Sequence, residues 1–431
     1  LLIAKNIFKK YDIRGEIGKE LNSATAYHLG KLFSYNAQYG KVVIGRDNRI
    51  SSKELQDAFM KALLESGCDV LELEEISTSP LLYFASYYLN TNGAVMITGS
   101  HNPLEFNGFK FICNQNSFYG EELASILNNP IKNAYGNHKK INLDQIYQEY
   151  LLNASVIAQS FSDEAIHGTL QIAWECNNSA TGRIIANLKL PGKHILLNQA
   201  LDGAFTHCPP DPCIKDNLKQ LQKIVITNSC DYGFAFDGDG DRLVMVKSNG
   251  KILTGDQLIY LIAQSLKQHK NKKILIDVKA SSILINTLKA EGFEVVIAPS
   301  GHSLMKTRII QENAIFAGEL SGHFIFNDKK FYPIDDALYA ALRVIKHLQN
   351  NSFLELPLAP IRVEYKAPKT KIKELEQIYQ PEGLRIDFAS GFLLVRASNT
   401  EDYILVKYEA MDSKTQTDIE QKLLTLFVPE V

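Results

Sequence analysis

At 431 residues the chain exceeds one ordinary hydrophobic core, and a scale of about 100–200 residues per domain implies three or four domains. Its 45% hydrophobic and 22% charged content is that of a soluble globular protein, and 46 basic against 48 acidic side chains leave a formal charge of -2. No global field therefore favours nucleic acid or an anionic membrane, so any anion must be held by a local cluster. No apolar run approaches the roughly 18 residues of a membrane span, the first residues lack the parts of a signal peptide, and a cytoplasmic protein is expected. Six cysteines without a Cys-x-x-Cys pair read as reduced and mostly packed. His207, Cys208 and Cys213 raise a zinc question, but Pro209, Pro210 and Pro212 stiffen the segment and no second pair completes a tetrahedral set.

In chain order, Lys9-Lys10-Tyr11-Asp12-Ile13-Arg14-Gly15 is a polar segment whose guanidinium, beside a glycine, can project from a turn; a plain surface loop is the alternative. Lys41 to Gly45 reads as a buried strand and Ser51 to Ser66 as a helix. In that helix Leu55, Ala58, Phe59, Ala62 and Leu63 recur at helical spacing, Ser51 with Glu54 forms a capping box, Ile50 with Leu55 a hydrophobic staple, and Gly67 stops it. A strand over 69–74, a helix over about 80–89 and the apolar run Gly93-Ala94-Val95-Met96-Ile97 complete a βαβαβ unit with a largely parallel sheet. That run delivers Thr98-Gly99-Ser100-His101-Asn102-Pro103 to a strand end, where Gly99 and Pro103 force a turn. Open α/β sheets bind ligands just beyond such ends. A hydroxyl there, next to His101 and near Lys110, can accept and return a transferable group, although a polar turn needs no such role.

The same plan recurs where the strand 171–176 runs into Asn177-Asn178-Ser179-Ala180, and where 273–278 runs into Lys279-Ala280-Ser281-Ser282. Beyond Asn350-Asn351-Ser352, two strand-like runs, 392–396 and 403–408, precede a helix over about 415–426. The expected fold is three similar α/β domains with mixed, mostly parallel sheets, over 1–140, 141–248 and 249–350, and a smaller α+β domain over 351–431.

The most specific signal is Asp237-Gly238-Asp239-Gly240-Asp241-Arg242, set between apolar strands. Glycines between the carboxylates let hard oxygen donors converge as Mg²⁺ prefers, and three aspartates so close would repel one another without a cation. An EF-hand fails, because its sixth and twelfth positions, counted from Asp237, are Arg242 and Ser248 rather than Gly and Glu. A phosphatase with Asp237 as nucleophile and Asp239 as acid stays open. Downstream, Lys279 ends a strand and Gly301-His302-Ser303 opens a helix; alone, each is ordinary. Gly318-Glu319-Leu320-Ser321-Gly322-His323 exposes a carboxylate, a hydroxyl and an imidazole, the acceptors and donors that vicinal sugar hydroxyls need. Arg396-Ala397-Ser398-Asn399-Thr400 offers a phosphate cradle without a Walker motif, or a plain hairpin loop.

These four loops, with Tyr11 to Gly15, Asn107-Gly108-Phe109-Lys110, Pro209 to Pro212, Asp277-Val278-Lys279 and Gly301 to Ser303, follow the order and about the spacing of the α-D-phosphohexomutase superfamily. Over essentially its full length the chain resembles the phosphomannomutase/phosphoglucomutase branch. The resemblance implies four domains around a central cleft. It implies that Ser100 is the phosphoserine; that Ser100, Asp237, Asp239 and Asp241 hold Mg²⁺; that Glu319, Ser321 and His323 read the sugar; and that Arg396, Ser398, Asn399 and Thr400 take the distal phosphate. Arg14, His101, Lys110, Arg242 and His302 fall on catalytic positions, Tyr11 and Lys279 on substrate-binding ones. His101, Lys110 and His302 are the candidates for a base.

The implied reaction moves a phosphoryl group reversibly between carbons 1 and 6 of a hexose, with glucose 1,6-bisphosphate or mannose 1,6-bisphosphate as activator and intermediate. Leu320 and Asn399 resemble the mannose/glucose branch, whereas the glucosamine branch, the alternative, tends to carry Gln and Gly. Asp402 departs from the Pro common in relatives and adds negative charge beside the phosphate loop. Partners are expected to be small sugar phosphates, not nucleic acid or membrane, and the protein a monomer or weak dimer. A non-catalytic sugar-phosphate binder is the remaining alternative.

Overall fold

The computed structural model describes residues 3–155, 170–369, 376–380, 383–397 and 403–427. They divide into two compact units, Leu1–Leu253 with Ser321–Asn350, and Thr254–Leu320 with Asn351–Val431. The architecture is that of four domains, three built on mixed, mostly parallel sheets with helices and the last on an antiparallel sheet.

The first unit opens on a sheet ordered Ile13–Glu16, Phe106–Cys113, Gly93–Ile97, Lys41–Arg46, Asp69–Leu73, His138–Ile141, with Asn116–Phe118 beside Phe106–Cys113. Lys41–Arg46 runs parallel to both Asp69–Leu73 and Gly93–Ile97, as the βαβαβ pattern requires, and Phe106–Cys113 returns antiparallel to Gly93–Ile97. Gly93–Ile97 is buried throughout, as expected of a strand covered on both faces. Helices Ser23–Asn36 and Ser52–Leu64 pack on this sheet, and Phe33, Phe59, Phe109 and Phe111 form a contiguous aromatic cluster beneath them.

Two local expectations fail. Ser51 has helical backbone angles and makes no cap; its hydroxyl accepts instead from Asn107 Nδ2 at 2.8 Å, and Glu54 is taken by Ser23. Ile50 is 78% exposed and staples nothing. Tertiary partners outcompeted the local ones.

A second sheet, ordered Leu243–Lys247, Tyr232–Phe236, Gln171–Glu175, Lys193–Leu197, is parallel except for its first pair. Trp174 stacks on Phe236 inside it, and Ser179 caps the helix Ala180–Asn187 that follows Gln171–Glu175. The returning segment of this unit holds Phe324–Phe326 and the helix Ala337–Asn350, tied to the helix Asp144–Ser155 by a 2.6 Å bond from the Tyr147 hydroxyl to Asp336.

In the second unit Lys273–Asp277 lies between Glu294–Ala298 and Phe316–Gly318, parallel to both. Helix Gly255–Gln264 starts on a full capping box of Thr254 and Gln257, and Ser281 caps Ser282–Ala290. The antiparallel sheet runs Ile361–Ala367, Ile404–Ala410, Gly391–Ala397, Leu384–Phe388, with the helix Ser413–Leu426 on it. Arg385 joins the two sheets of this unit, donating to the carbonyls of Val278 and Ala280 at 2.6 and 2.7 Å while stacking on Phe392.

Phe59→Ala is expected to destabilise the first unit by about 3–5 kcal/mol, the usual cost of emptying a fully buried aromatic site. Leu424→Ala, at a 76% exposed position, should change stability by no more than about 0.5 kcal/mol. Urea unfolding followed by circular dichroism compares the two.

Candidate active site

The first unit brings two loops distant in sequence into contact. Ser100, delivered by the central strand Gly93–Ile97, is 2% exposed and has a left-handed backbone with φ 50°. Its hydroxyl donates to Asp237 Oδ2 at 3.0 Å and lies 3.1 Å from His101 Nδ1. Asp237 opens the loop between Tyr232–Phe236 and Leu243–Lys247. Gly238 has to be glycine here: a Cβ would lie 2.7 Å from the Ser100 carbonyl oxygen.

Asp237, Asp239 and Asp241 are completely buried, and one oxygen from each falls within 4.8 Å of the others. Asp237 Oδ1 accepts the N–H groups of Asp241 and Arg242 at 3.0 and 3.2 Å. Asp239 Oδ2 accepts from Lys110 Nζ at 2.7 Å and from the Ser79 hydroxyl at 2.5 Å. Ser79 begins the helix Ser79–Tyr88, so the positive end of that helix also faces Asp239, whose carbonyl takes the Ser79 N–H. Lys110 bridges to Asp241 at 2.6 Å.

Burial, with the charges of Asp241 and Asp239 added, lifts the Asp237 carboxyl well above the usual carboxylate range. Burial and Asp241 push Asp239 the same way, but the Lys110 ammonium and hydrogen bonds from Lys110 and Ser79 bring it below that range. Lys110 gains enough from Asp239 and Asp241 to overcome burial, and its ammonium is held well above its ordinary value. Burial, then Arg242 and Arg14, drive His101 well below its ordinary value, leaving a neutral imidazole.

Arg242 Nη2 lies 3.3 Å from His101 Nε2, and a guanidinium can only donate. The imidazole proton is therefore assigned to Nδ1, facing Ser100 Oγ, and the hydroxyl proton to the Asp237 side. Arg242 Nε donates to His323 Nε2 at 3.2 Å, which turns His323 Nδ1 toward Asp335 at 3.3 Å and Asp241 at 3.7 Å. Arg14 donates to Asp12 at 2.8 Å and to the Thr98 carbonyl at 3.0 Å; burial lowers its pKa, but Asp12 first, then Asp239 and Asp241, raise it above the ordinary value. Tyr11 packs on Tyr119, ring centroids 6.1 Å apart. Ser321 uses its carbonyl to accept from Cys213 Sγ at 3.5 Å.

Residues 5–137 match the family described as phosphoglucomutase/phosphomannomutase, alpha/beta/alpha domain I. Residues 145–250 match its domain II, 254–359 its domain III and 361–426 its C-terminal domain. A phosphomannomutase/phosphoglucomutase of Pseudomonas putida is 32% identical over 435 residues, covering 94% of this chain and 92% of that protein. The chain belongs to the phosphoglucomutase/phosphomannomutase family. It is thus an α-D-phosphohexomutase superfamily member. A phosphoglucomutase of Neisseria gonorrhoeae is 31% identical over 452 residues, covering 97% of this chain and 95% of that one. The crystal structure of a phosphoglucomutase/phosphomannomutase family protein from Burkholderia thailandensis superposes with a TM-score of 0.85 at 27% identity, covering 98% of this chain and 97% of that one.

The second unit carries the other site residues expected of this phosphoglucomutase/phosphomannomutase family member. Lys279 Nζ lies 3.2 Å from Asp277 Oδ2, Asp277 Oδ1 accepts the Ser300 hydroxyl at 2.7 Å, and Arg396 Nη1 donates to Ser300 Oγ at 3.3 Å. Burial opposes ionisation of Asp277, but Lys279 and these hydrogen bonds hold its pKa below the usual range. One buried carboxylate thereby links the two cations. His302 starts the helix His302–Gln311, its Nδ1 3.4 Å from Lys306 Nζ, and buried Glu319 accepts the Gly301 N–H. Ser398, Asn399 and Thr400 lie outside the described residues. Sequence reasoning missed Ser79 and Asp335, which meet the site only through contacts distant along the chain.

The aspartates suit a hard divalent cation. Their donors are all oxygen, they converge, and Asp239 Oδ1 is buried without a hydrogen-bond partner. Adding MgCl₂ to chelator-treated protein is expected to raise its thermal midpoint, by the equivalent of about 2.7 kcal/mol once the free ion exceeds its Kd about 100-fold. The increment should shrink as pH falls, because burial and the neighbouring carboxylates raise the Asp237 pKa and only the ionised carboxylate ligates. Asp239→Asn should remove it, and differential scanning fluorimetry that finds no response to Mg²⁺, Mn²⁺ or Ca²⁺ would show that the triad holds no cation.

Proposed function

We propose that this protein interconverts hexose 1-phosphates and hexose 6-phosphates, of mannose, glucose or both, by way of phosphorylated Ser100 and a hexose 1,6-bisphosphate. The observation that carries the reading is the 3.0 Å contact of Ser100 Oγ with Asp237, made across 137 positions of sequence inside a buried group of three carboxylates. Ser100 gives its phosphoryl group to the free hydroxyl of a bound hexose monophosphate: the Ser100 O–P bond breaks as the sugar O–P bond forms. The bisphosphate, turned end for end, returns its other phosphoryl group to Ser100. Mg²⁺ held by Asp237, Asp239, Asp241 and the Ser100 oxygen would neutralise charge on the transferring group.

Arg14, Lys110 and Arg242 add positive charge that is already oriented, so no reorganisation is needed during transfer. Lys279, with Arg396, Ser398, Asn399 and Thr400, is assigned to the unreactive phosphate, Glu319, Ser321 and His323 to the sugar hydroxyls, and Tyr11 to substrate contact. His101 and Lys110 make poor bases: the lone pair of His101 faces Arg242, and Lys110 is held as an ammonium. His302 stays a candidate, whereas His323 Nε2 accepts from Arg242 as His101 Nε2 does, so its lone pair is engaged as well. The four domains are assigned to residues 1–140, 141–248, 249–350 and 351–431.

A phosphatase using Asp237 as nucleophile fits less well. Both of its carboxylate oxygens are committed, one to two backbone N–H groups and the other to Ser100. Incubation with ³²P-labelled glucose 1,6-bisphosphate separates the readings, since a phosphoserine survives hydroxylamine and an acyl phosphate does not. Wild-type protein is expected to take a hydroxylamine-stable label. Ser100→Ala is expected to take none and to lose activity by at least about 10³-fold, the scale of removing a covalent nucleophile; mutase turnover at the wild-type rate would sink the assignment. Rates on mannose, glucose and glucosamine 1-phosphates, measured side by side, identify the hexose.

A further inference from the structure

We propose that Arg49 is a positioning residue for phosphoryl transfer, clamping the backbone of the Ser100 loop so that the hydroxyl is aimed at Asp237. The proposal rests on Ser100 being the phosphoryl carrier. Arg49 lies just past the strand Lys41–Arg46, whose neighbour in the sheet, Gly93–Ile97, leads into Ser100. Its guanidinium is buried, and its two terminal nitrogens donate to four carbonyls between Ser100 and Phe106. Nη2 donates to Ser100 at 2.9 Å and Asn102 at 2.6 Å, Nη1 to Pro103 at 2.9 Å and Phe106 at 3.1 Å.

Asp47 completes the clamp. Its Oδ2 lies 3.4 Å from Arg49 Nε and accepts the Gly99 N–H at 3.0 Å, while Oδ1 accepts the Arg49 N–H at 3.0 Å and the Ser52 hydroxyl at 2.5 Å. The loop is shaped around the guanidinium, since a Cβ at Gly99 would sit 2.1 Å from Arg49 Nε. Inward-turned carbonyls need donors, and a fixed planar fork supplies them where a single ammonium cannot reach all four. The left-handed backbone at Ser100, disfavoured for a residue with a Cβ, is thereby held in place. Arg49 bonds carbonyls rather than any reacting atom, so its contribution belongs to kcat and not to substrate affinity.

The test compares Arg49→Lys and Arg49→Ala with wild type for kcat and KM on glucose 1-phosphate, for the single-turnover rate of ³²P labelling from glucose 1,6-bisphosphate, and for thermal midpoint. Arg49→Lys keeps the charge and loses the fork. Its kcat and labelling rate are expected to fall about 100-fold, the cost of misplacing a reacting group by about 1 Å, with KM unchanged. Guanidinium ion should restore part of the rate to Arg49→Ala, and methylammonium should not. A wild-type rate in Arg49→Lys, a loss confined to KM, or no guanidinium response in folded Arg49→Ala would each overturn the proposal. Should Arg49→Ala fail to fold, Arg49→Lys decides. Failure of wild-type protein to take label would instead overturn the role of Ser100. The crystal structure of Arg49→Lys then judges the clamp, which predicts a displaced Ser100 Oγ and is refuted by one still on Asp237.

Discussion

Three carboxylates buried at the end of one strand constrain the first unit more than any other feature. Like charges a few ångströms apart and out of water repel strongly, and each must be offset locally. Lys110 answers two of them from the antiparallel return strand, Ser79 and its helix end answer Asp239, and the N–H groups of Asp241 and Arg242 answer Asp237. Those compensations leave Asp237 still above the usual carboxylate range, which is the imbalance a divalent cation would remove. The same demand explains why cations contributed by separate segments of the chain crowd around one loop.

The polarity of the hydrogen bonds around Ser100 follows from that arrangement. Arg242 can only donate, so it sets the His101 tautomer; His101 then presents an N–H to Ser100 Oγ, and Ser100 turns its proton to Asp237. His323 Nε2 accepts from Arg242 too, so both imidazole lone pairs beside this loop are engaged by one guanidinium, and a base for the sugar hydroxyl is better sought outside this chain of hydrogen bonds.

The chemistry was legible where it is local. Asp237, Asp239 and Asp241 alternate with glycines in one loop, and Ser100 follows an unbroken apolar run, so spacing and hydropathy alone marked both. The βαβαβ order was legible for the same reason, because buried parallel strands read as continuous hydrophobic runs. Where residues find partners far along the chain, local rules misled. Ser51 and Glu54 have capping-box spacing, yet Asn107 and Ser23 claim them, and Ile50 has no apolar surface to cover. Ser79 and Asp335 look ordinary in sequence because each acquires its place only through a distant contact, the Ser79–Asp239 bond spanning 160 positions.

Such a cradle bears on how one serine can serve two ends of a sugar. Ser100 is gripped through its carbonyl by Arg49, abuts Gly238 at that same carbonyl, and binds Asp237 through its hydroxyl. A group so constrained cannot swing between two acceptor positions without breaking several buried hydrogen bonds, each costly to leave unmade. Under the proposed reaction the adaptable partner must then be the bisphosphate, which presents carbon 1 and carbon 6 in turn to a stationary hydroxyl. Oriented charge and a fixed nucleophile favour the same division of labour, since both lower the transfer barrier only if they are already in place when the second phosphoryl group arrives.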